Sequence, residues 1–177
     1  FAEEMLRRRG MSLQGLRVSV SGSGNVAQYA VEKAMALGAR VVTVSDSSGT
    51  VVDEAGFTPA KLAELMEVKN HLYGRVDEYA RRVGAQFLPG ARPWHVPVDV
   101  ALPCATQNEL DGRDAQTLVG HGVKCVAEGA NMPSTLEAIR CFEAARVLYA
   151  PGKASNAGGV ATSGLEDRKS TRLNSSH

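Results

Sequence analysis

Aromatic side chains are scarce in this 177-residue chain: four phenylalanines, four tyrosines and one tryptophan. With 44% hydrophobic residues overall, the core must be aliphatic. Cysteine is scarcer still. Cys104, Cys125 and Cys141 are odd in number, widely spaced and set in apolar surroundings, with no C-x-x-C pair. That excludes a disulfide framework and points to buried free thiols in a reducing cytosol. His71, His95 and His121 stand at no metal-ligand spacing to these cysteines or to one another, so no metal is expected. An excess of one charge is lacking too, since 20 basic residues meet 19 acidic ones for a net +1. A nucleic-acid partner ordinarily requires a basic excess or a basic face, and neither is present. No apolar run approaches the roughly 18 residues needed to cross a membrane. Also absent are a Ser/His/Asp order, paired carboxylates and a nucleophilic cysteine in a polar setting.

What is present is an alternation of short β-branched runs with helical patterns. Residues 16–21 (LRVSVS) and 40–45 (RVVTVS) read as strands, with a helix over 25–37 between them that stops at Gly38. Thr58-Pro59 supplies an N-cap and a proline at the first helical position, predicting a helix over 59–69, and a further helix over 75–83 stops at Gly84. Apolar strands follow at 86–88, 99–103, 123–127 and 147–150; Ser134 and Glu137 in "STLE" form a capping box for a helix to about residue 145. Strands apolar on both faces require helices on both sides. The expected fold class is therefore α/β: a Rossmann-like, doubly wound, mainly parallel sheet. Such sheets bind ligands at the carboxyl ends of their strands, where the strand order reverses. The expected organisation is a lead-in helix over 1–15, one dinucleotide-binding domain over 16–166, and an artefactual, disordered tail over 167–177 ("DRKSTRLNSSH" with the preceding Glu166 as the last domain residue). Phe1 already stands inside a helical pattern and is not expected to be a natural start.

Gly22, Gly24 and Ala27 spell G-x-G-x-x-A directly after a strand and at the opening of a helix. Gly22 permits the tight turn, Gly24 admits a pyrophosphate close to the backbone, and Ala27 lets the helix approach the strand. The phosphates would rest on the free N–H groups and positive dipole end of that helix. Asp46, 22 positions beyond Gly24, would ordinarily accept from ribose hydroxyls and favour NAD. Ser47 and Ser48 suit a 2′-phosphate instead, and Lys69 and Arg75 could fold toward the same place or remain solvated surface cations. Spacing leaves the choice of cofactor open.

Three further strand-end loops, 103–109, 127–134 and 150–164, are dense in small residues and carboxamides: Gln107, Asn108, Asn131 and Asn156. Carboxamides donate and accept without charge, which suits a nicotinamide amide or ribose hydroxyls. Glu109, Glu128 and Lys153 are the ionisable groups in these loops, with no reason in the sequence to prefer one as general acid or base.

The stretches "VSVSGSGNVAQYAVEKA", "SDSSGTVVDEAGF", "PVDVALPCATQNEL", "AEGANMP" and "APGKASNAGGVATSGLE" together resemble the cofactor-binding domain of the glutamate dehydrogenase family, most closely its bacterial hexameric, NADP-preferring type. The resemblance implies reversible oxidative deamination of L-glutamate to 2-oxoglutarate and ammonium, with hydride passing to NADP, or to NAD in other members. It implies that Gly22, Ser23, Gly24, Asn25 and Val26 hold the pyrophosphate, and that Thr106, Gln107, Asn108 and Asn131 approach the nicotinamide ribose and ring. Ser47 and Lys69 match positions near the 2′-phosphate, and Asn156 the junction of cofactor and substrate. Val160 and Ser163 match the glutamate side-chain pocket. The family's catalytic lysine and aspartate belong to an earlier substrate domain without counterpart here, so this chain is expected to be a fragment that does not catalyse the reaction by itself. A cytoplasmic homo-hexamer is implied for the full-length protein, with small-molecule substrates as its partners. Two alternatives stand beside this reading: an NAD-dependent relative acting on glutamate or another amino acid, and a non-catalytic nucleotide-binding module.

Overall fold

The structure, a computed structural model, describes residues 1–152. Asn156, Val160, Ser163 and Lys153 therefore lie outside the described residues. In chain order the elements are α1 (Ala2–Arg8), β1 (Arg17–Val20), α2 (Asn25–Ala36), β2 (Arg40–Asp46), β3 (Gly49–Val52), α3 (Pro59–Met66), α4 (Val76–Val83) and β4 (Gln86–Pro89). They continue as β5 (Val100–Leu102), α5 (Gly112–Gly120), β6 (Cys125–Ala127), α6 (Leu136–Ala144) and β7 (Leu148–Ala150). A wide helical turn, Glu67–His71, extends α3, and a single 3-10 turn covers Pro93–His95.

The seven strands form one sheet in the order β4-β3-β2-β1-β5-β6-β7. β1 pairs in parallel with both β2 and β5, and β5, β6 and β7 continue in parallel. The strand order thus reverses at β1, and the crevice beyond the carboxyl ends of β1 and β5 is the expected ligand position. β3 departs from the parallel pattern. It folds back on β2 through the turn at Ser47–Ser48, pairing Asp46 with Gly49, and pairs antiparallel with β4. Neither this hairpin strand nor helix α5 is anticipated by the sequence reading; "GTVV" follows the preceding strand too closely to register as a separate run.

Adjacent strand residues fall on opposite faces and feed separate cores. Val18, Val20, Val41, Val100 and Cys125 pack with Leu6, Val31, Leu65 and Tyr79 from the helices α1 to α4. Val42, Ala101 and Val126 pack on the other face with Trp94, Leu118 and Phe142. Double-sided burial explains why the strands read as continuous apolar runs.

The expected helix boundaries hold at Thr58, whose hydroxyl accepts from the Lys61 N–H at 3.2 Å, and at Gly84, left-handed with φ 70° at the end of α4. The capping box expected at Ser134 is corrected by one residue. Thr135 Oγ1 accepts from the Ala138 N–H at 3.3 Å, while Ser134 Oγ is buried without a partner among the described residues. The Ser134 backbone is drawn into a bridge with Leu110, which displaces the start of α6. A capping box does occur at α5, between Asp111 and Asp114.

Candidate functional site

β1 and β2 shift register near their carboxyl ends, and two hydroxyls of β2 tie the strand ends together there. Thr43 Oγ1 accepts from the Val20 N–H at 3.0 Å and donates to the Val20 carbonyl at 2.9 Å, where the strand register shifts. Ser45 Oγ accepts from the Gly22 N–H at 2.8 Å. The chain then turns through Gly22, left-handed at φ 83°, so close to the next strand end that a Cβ would lie 3.0 Å from the Cys104 carbonyl oxygen. Only glycine satisfies both conditions.

Gly24 is the N-cap of α2, and no side chain among the described residues caps the helix start. Among the described residues, a Cβ at Gly24 would meet nothing within 4 Å. Open space and uncapped donors at a helix start suit an anionic group approaching the backbone. Ala27 is fully buried against the sheet, as close packing of α2 requires. Gln28 fastens the loop: its Nε2 donates to the Ser23 carbonyl at 2.8 Å, and its amide pairs with Asn70 in both directions at 3.1 Å.

Asp46 closes β2 but has little acceptor capacity left for a ligand. Its Oδ1 accepts from the Ser48 N–H at 2.8 Å and from the Ser48 hydroxyl. Its Oδ2 accepts from the Val76 N–H at 2.9 Å and pairs with Lys69 Nζ at 3.3 Å. Burial alone would raise this carboxyl, but the Ser48 and Val76 hydrogen bonds and the Lys69 charge together hold it below the usual range. Arg75 Nη1 donates to Ser47 Oγ at 2.8 Å. Arg75 therefore stands directly on Ser47, while Lys69 is held in an ion pair with the neighbouring Asp46 carboxylate.

A cleft of about 460 Å³ runs from this corner across the sheet end. Gly22, Ser23, Asp46, Ser47, Thr106, Gln107 and Asn108 line it together. Asn25 and Val26 stand on the first turn of α2 and line a neighbouring, mainly apolar groove of about 680 Å³ between α1 and α2. Asn131 lines neither cavity, although its loop is tied to the cleft: the Asn108 N–H donates to the Met132 carbonyl at 3.0 Å and the Leu110 N–H to the Pro133 carbonyl at 3.0 Å. Asn108 and Met132 are both left-handed, at φ 57° and 45°. Asparagine tolerates this conformation, but a methionine is strained in it.

The sequence reading missed part of the cleft wall. Arg92, Pro93 and Trp94 line it from the segment after β4, and Ser21 and Glu109 tie β1 to the 105–109 loop. Glu109 is visible in the sequence as an ionisable group of the 103–109 loop, though without a role, and Ser21 is marked as a polar residue ending an apolar strand; the 92–94 segment carries no motif. Cys104 lies beneath the loop, its thiol pushed by burial to about 12 and thus held neutral. Among the described residues no cluster of His, Cys, Asp and Glu could hold a metal ion, and no helix is long and apolar enough to cross a membrane.

A doubly wound α/β sheet with a glycine turn at its switch point defines the class: a Rossmann-like α/β domain. The particular family follows from comparison. The family model described as Glutamate/Leucine/Phenylalanine/Valine dehydrogenase matches residues 1–176, and the chain belongs to this family. It is 68% identical over 166 residues to the NADP-specific glutamate dehydrogenase of Salmonella typhimurium, covering 94% of this chain and 37% of that enzyme. Against the NADP-specific glutamate dehydrogenase of Escherichia coli strain K12 the identity is 66%, with the same coverage. A crystal structure of glutamate dehydrogenase from Plasmodium falciparum superimposes with a TM-score of 0.92 at 43% identity, over 96% of this chain and 37% of that one. The chain thus spans little more than a third of the length of these relatives.

Proposed function

We propose that this chain is the dinucleotide-binding part of an amino-acid dehydrogenase that deaminates L-glutamate oxidatively and reversibly with NADP(H). The observation that carries the cofactor choice is the corner around Ser47. A 2′-phosphate placed there meets Arg75 on Ser47 and stands beside the Lys69–Asp46 ion pair, in which the Asp46 carboxylate is already neutralised, so the usual acidic veto against that phosphate is weakened. The names of the relatives in Salmonella typhimurium and Escherichia coli support the same choice and supply the substrate.

In this reading Gly22, Ser23, Gly24, Asn25 and Val26 hold the pyrophosphate against the start of α2. Thr106, Gln107, Asn108 and Asn131 serve the nicotinamide ribose and ring; by the family resemblance Asn156 is assigned to the junction of cofactor and substrate, and Val160 and Ser163 to the glutamate side-chain pocket. The bound nicotinamide supplies the hydride acceptor, while the general acid and base come from the remainder of the longer enzyme. The domain is expected to run over 16–166, with 1–15 leading in from the substrate domain.

Titration of NADPH and NADH against the chain tests the assignment. Lys69→Ala or Ser47→Ala should weaken NADPH by about 10- to 100-fold, matching the loss of a charge-assisted hydrogen bond, and NADH far less. Equal effects on both nucleotides would favour an NAD-dependent enzyme. Well-folded chain that binds neither would overturn the reading.

A further inference from the structure

Glu109 is the carboxylate that joins three walls of the cleft. Its Oε1 accepts from Ser21 Oγ at 2.6 Å and from the Ala105 N–H at 3.3 Å. Ser21 Oγ accepts in turn from the Cys104 N–H at 2.9 Å. The Glu109 carbonyl oxygen accepts from Arg92 Nη1 at 3.1 Å and Trp94 Nε1 at 3.2 Å. One residue thereby connects the end of β1, the 105–108 loop and the 92–94 segment, and it lines the same cleft as Gly22 and Ser23.

The charged groups around it leave the carboxylate without a cation of its own. Arg92 is directed at the Glu109 carbonyl and at Asp111 and Asp114 at the start of α5. From β5 comes the neutral Cys104 thiol, from β1 the Ser21 hydroxyl, and across the cleft Asp46 is paired with Lys69. Among the described residues no salt bridge reaches the Glu109 carboxylate.

We propose that Glu109 is the positioning residue of this cleft, and that an anionic dinucleotide binds there with uptake of one solvent proton by its carboxyl group. The inference rests on the dinucleotide reading above. A diphosphate over the Gly22–Ser23 turn brings like charge into the same cleft, and like charge disfavours the ionised acid. The neutral acid retains a carbonyl oxygen for the Ser21 and Ala105 donors, so protonation does not release the loop. Burial already raises the group above the ordinary carboxyl range, against the opposing hydrogen bonds of Ser21, Ala105 and Thr106 and the Arg92 charge. Uptake is then expected above the pH range in which an ordinary carboxyl group titrates.

Calorimetric titration of the whole chain with NADPH, between about pH 5.5 and 7.5 in buffers of differing ionisation enthalpy, counts the protons. Wild-type affinity should fall relative to Glu109→Gln by up to about ten-fold per pH unit, a comparison in which titration of the 2′-phosphate cancels. Glu109→Ala should weaken NADPH by about ten-fold or more and speed amide exchange at Cys104 and Ala105. Glu109→Gln, which keeps the acceptor, should restore slow exchange. Equal proton uptake in wild type and Glu109→Gln overturns the linkage, and unchanged exchange in Glu109→Ala overturns the positioning role. Failure of the dinucleotide reading looks different: natively folded wild type binds neither nucleotide, which also removes the linkage, while exchange still decides the positioning role.

Discussion

Single residues at the strand ends carry opposite tolerances although they are neighbours. Gly22 is left-handed and pressed against the Cys104 carbonyl, whereas Gly24 faces open space. Gly22→Ala is therefore expected to destabilise the fold by about 1–2 kcal/mol from backbone strain alone, with the contact to Cys104 adding to it. Gly24→Ala should leave thermal stability nearly unchanged but weaken nucleotide binding, because the added methyl occupies the ligand's space. Melting temperature and NADPH titration measured side by side separate the two. If both substitutions act on stability alone, the open space at Gly24 is not a ligand position. The glycine pattern is visible in the sequence. The motif also assigns the turn to Gly22 and the ligand's approach to Gly24; what it does not contain is the Cys104 carbonyl 3.0 Å from a Cβ at Gly22, because that depends on what the other strand ends bring to within 4 Å.

At the scale of elements, the informative joints are those where one side chain serves two segments. Asp46 holds the end of β2, the Ser47–Ser48 turn and the first N–H of α4. Asp46→Ala should cost about 1–3 kcal/mol through unsatisfied donors and accelerate amide exchange at Val76, which deuterium exchange would register. The start of α6 offers a sharper contrast. Thr135→Ala should cost about 1 kcal/mol by loss of the cap. Ser134→Ala should cost less than that, since its hydroxyl is buried and unpartnered. Denaturant unfolding of both variants decides between them, and the reverse ranking would restore Ser134 as the cap. Sequence reasoning placed the cap one residue early because "STLE" and the true start differ only in backbone conformation, and the bridge to Leu110 selects between them.

For the whole molecule, pH sums contributions of opposite sign. Asp99 accepts from the Arg17 N–H at 2.9 Å and Lys124 Nζ at 2.6 Å, joining β1, β5 and β6 at the end of the sheet away from the cleft. Burial pushes its carboxyl upward, but these partners bring it below the usual range, as for Asp46. Both groups stabilise the fold above their unfolded pKa of about 3.9, and that stability is lost as pH falls through their lower folded values. Glu109 runs the other way: its contribution is complete below its unfolded pKa of about 4.3 and is lost as pH rises through the higher folded value. The melting temperature should therefore drop steeply below about pH 4, and Asp99→Asn should flatten that drop, a result readable by calorimetry across pH. An acid limb unaltered by Asp99→Asn would assign it to other carboxylates. The sequence by itself determined the parallel α/β sheet, the glycine turn and the caps at Thr58 and Gly84, because apolar periodicity and φ preferences act over a few residues. It also carried the family, through long motifs at the strand ends. Only the tertiary structure decided the β2–β3 hairpin, the pairing of Asp46 with Lys69 beside the Arg75–Ser47 contact, and the place of Glu109 and Arg92 on the cleft wall. These depend on contacts between residues tens of positions apart, where charge and burial are set by folding and not by spacing.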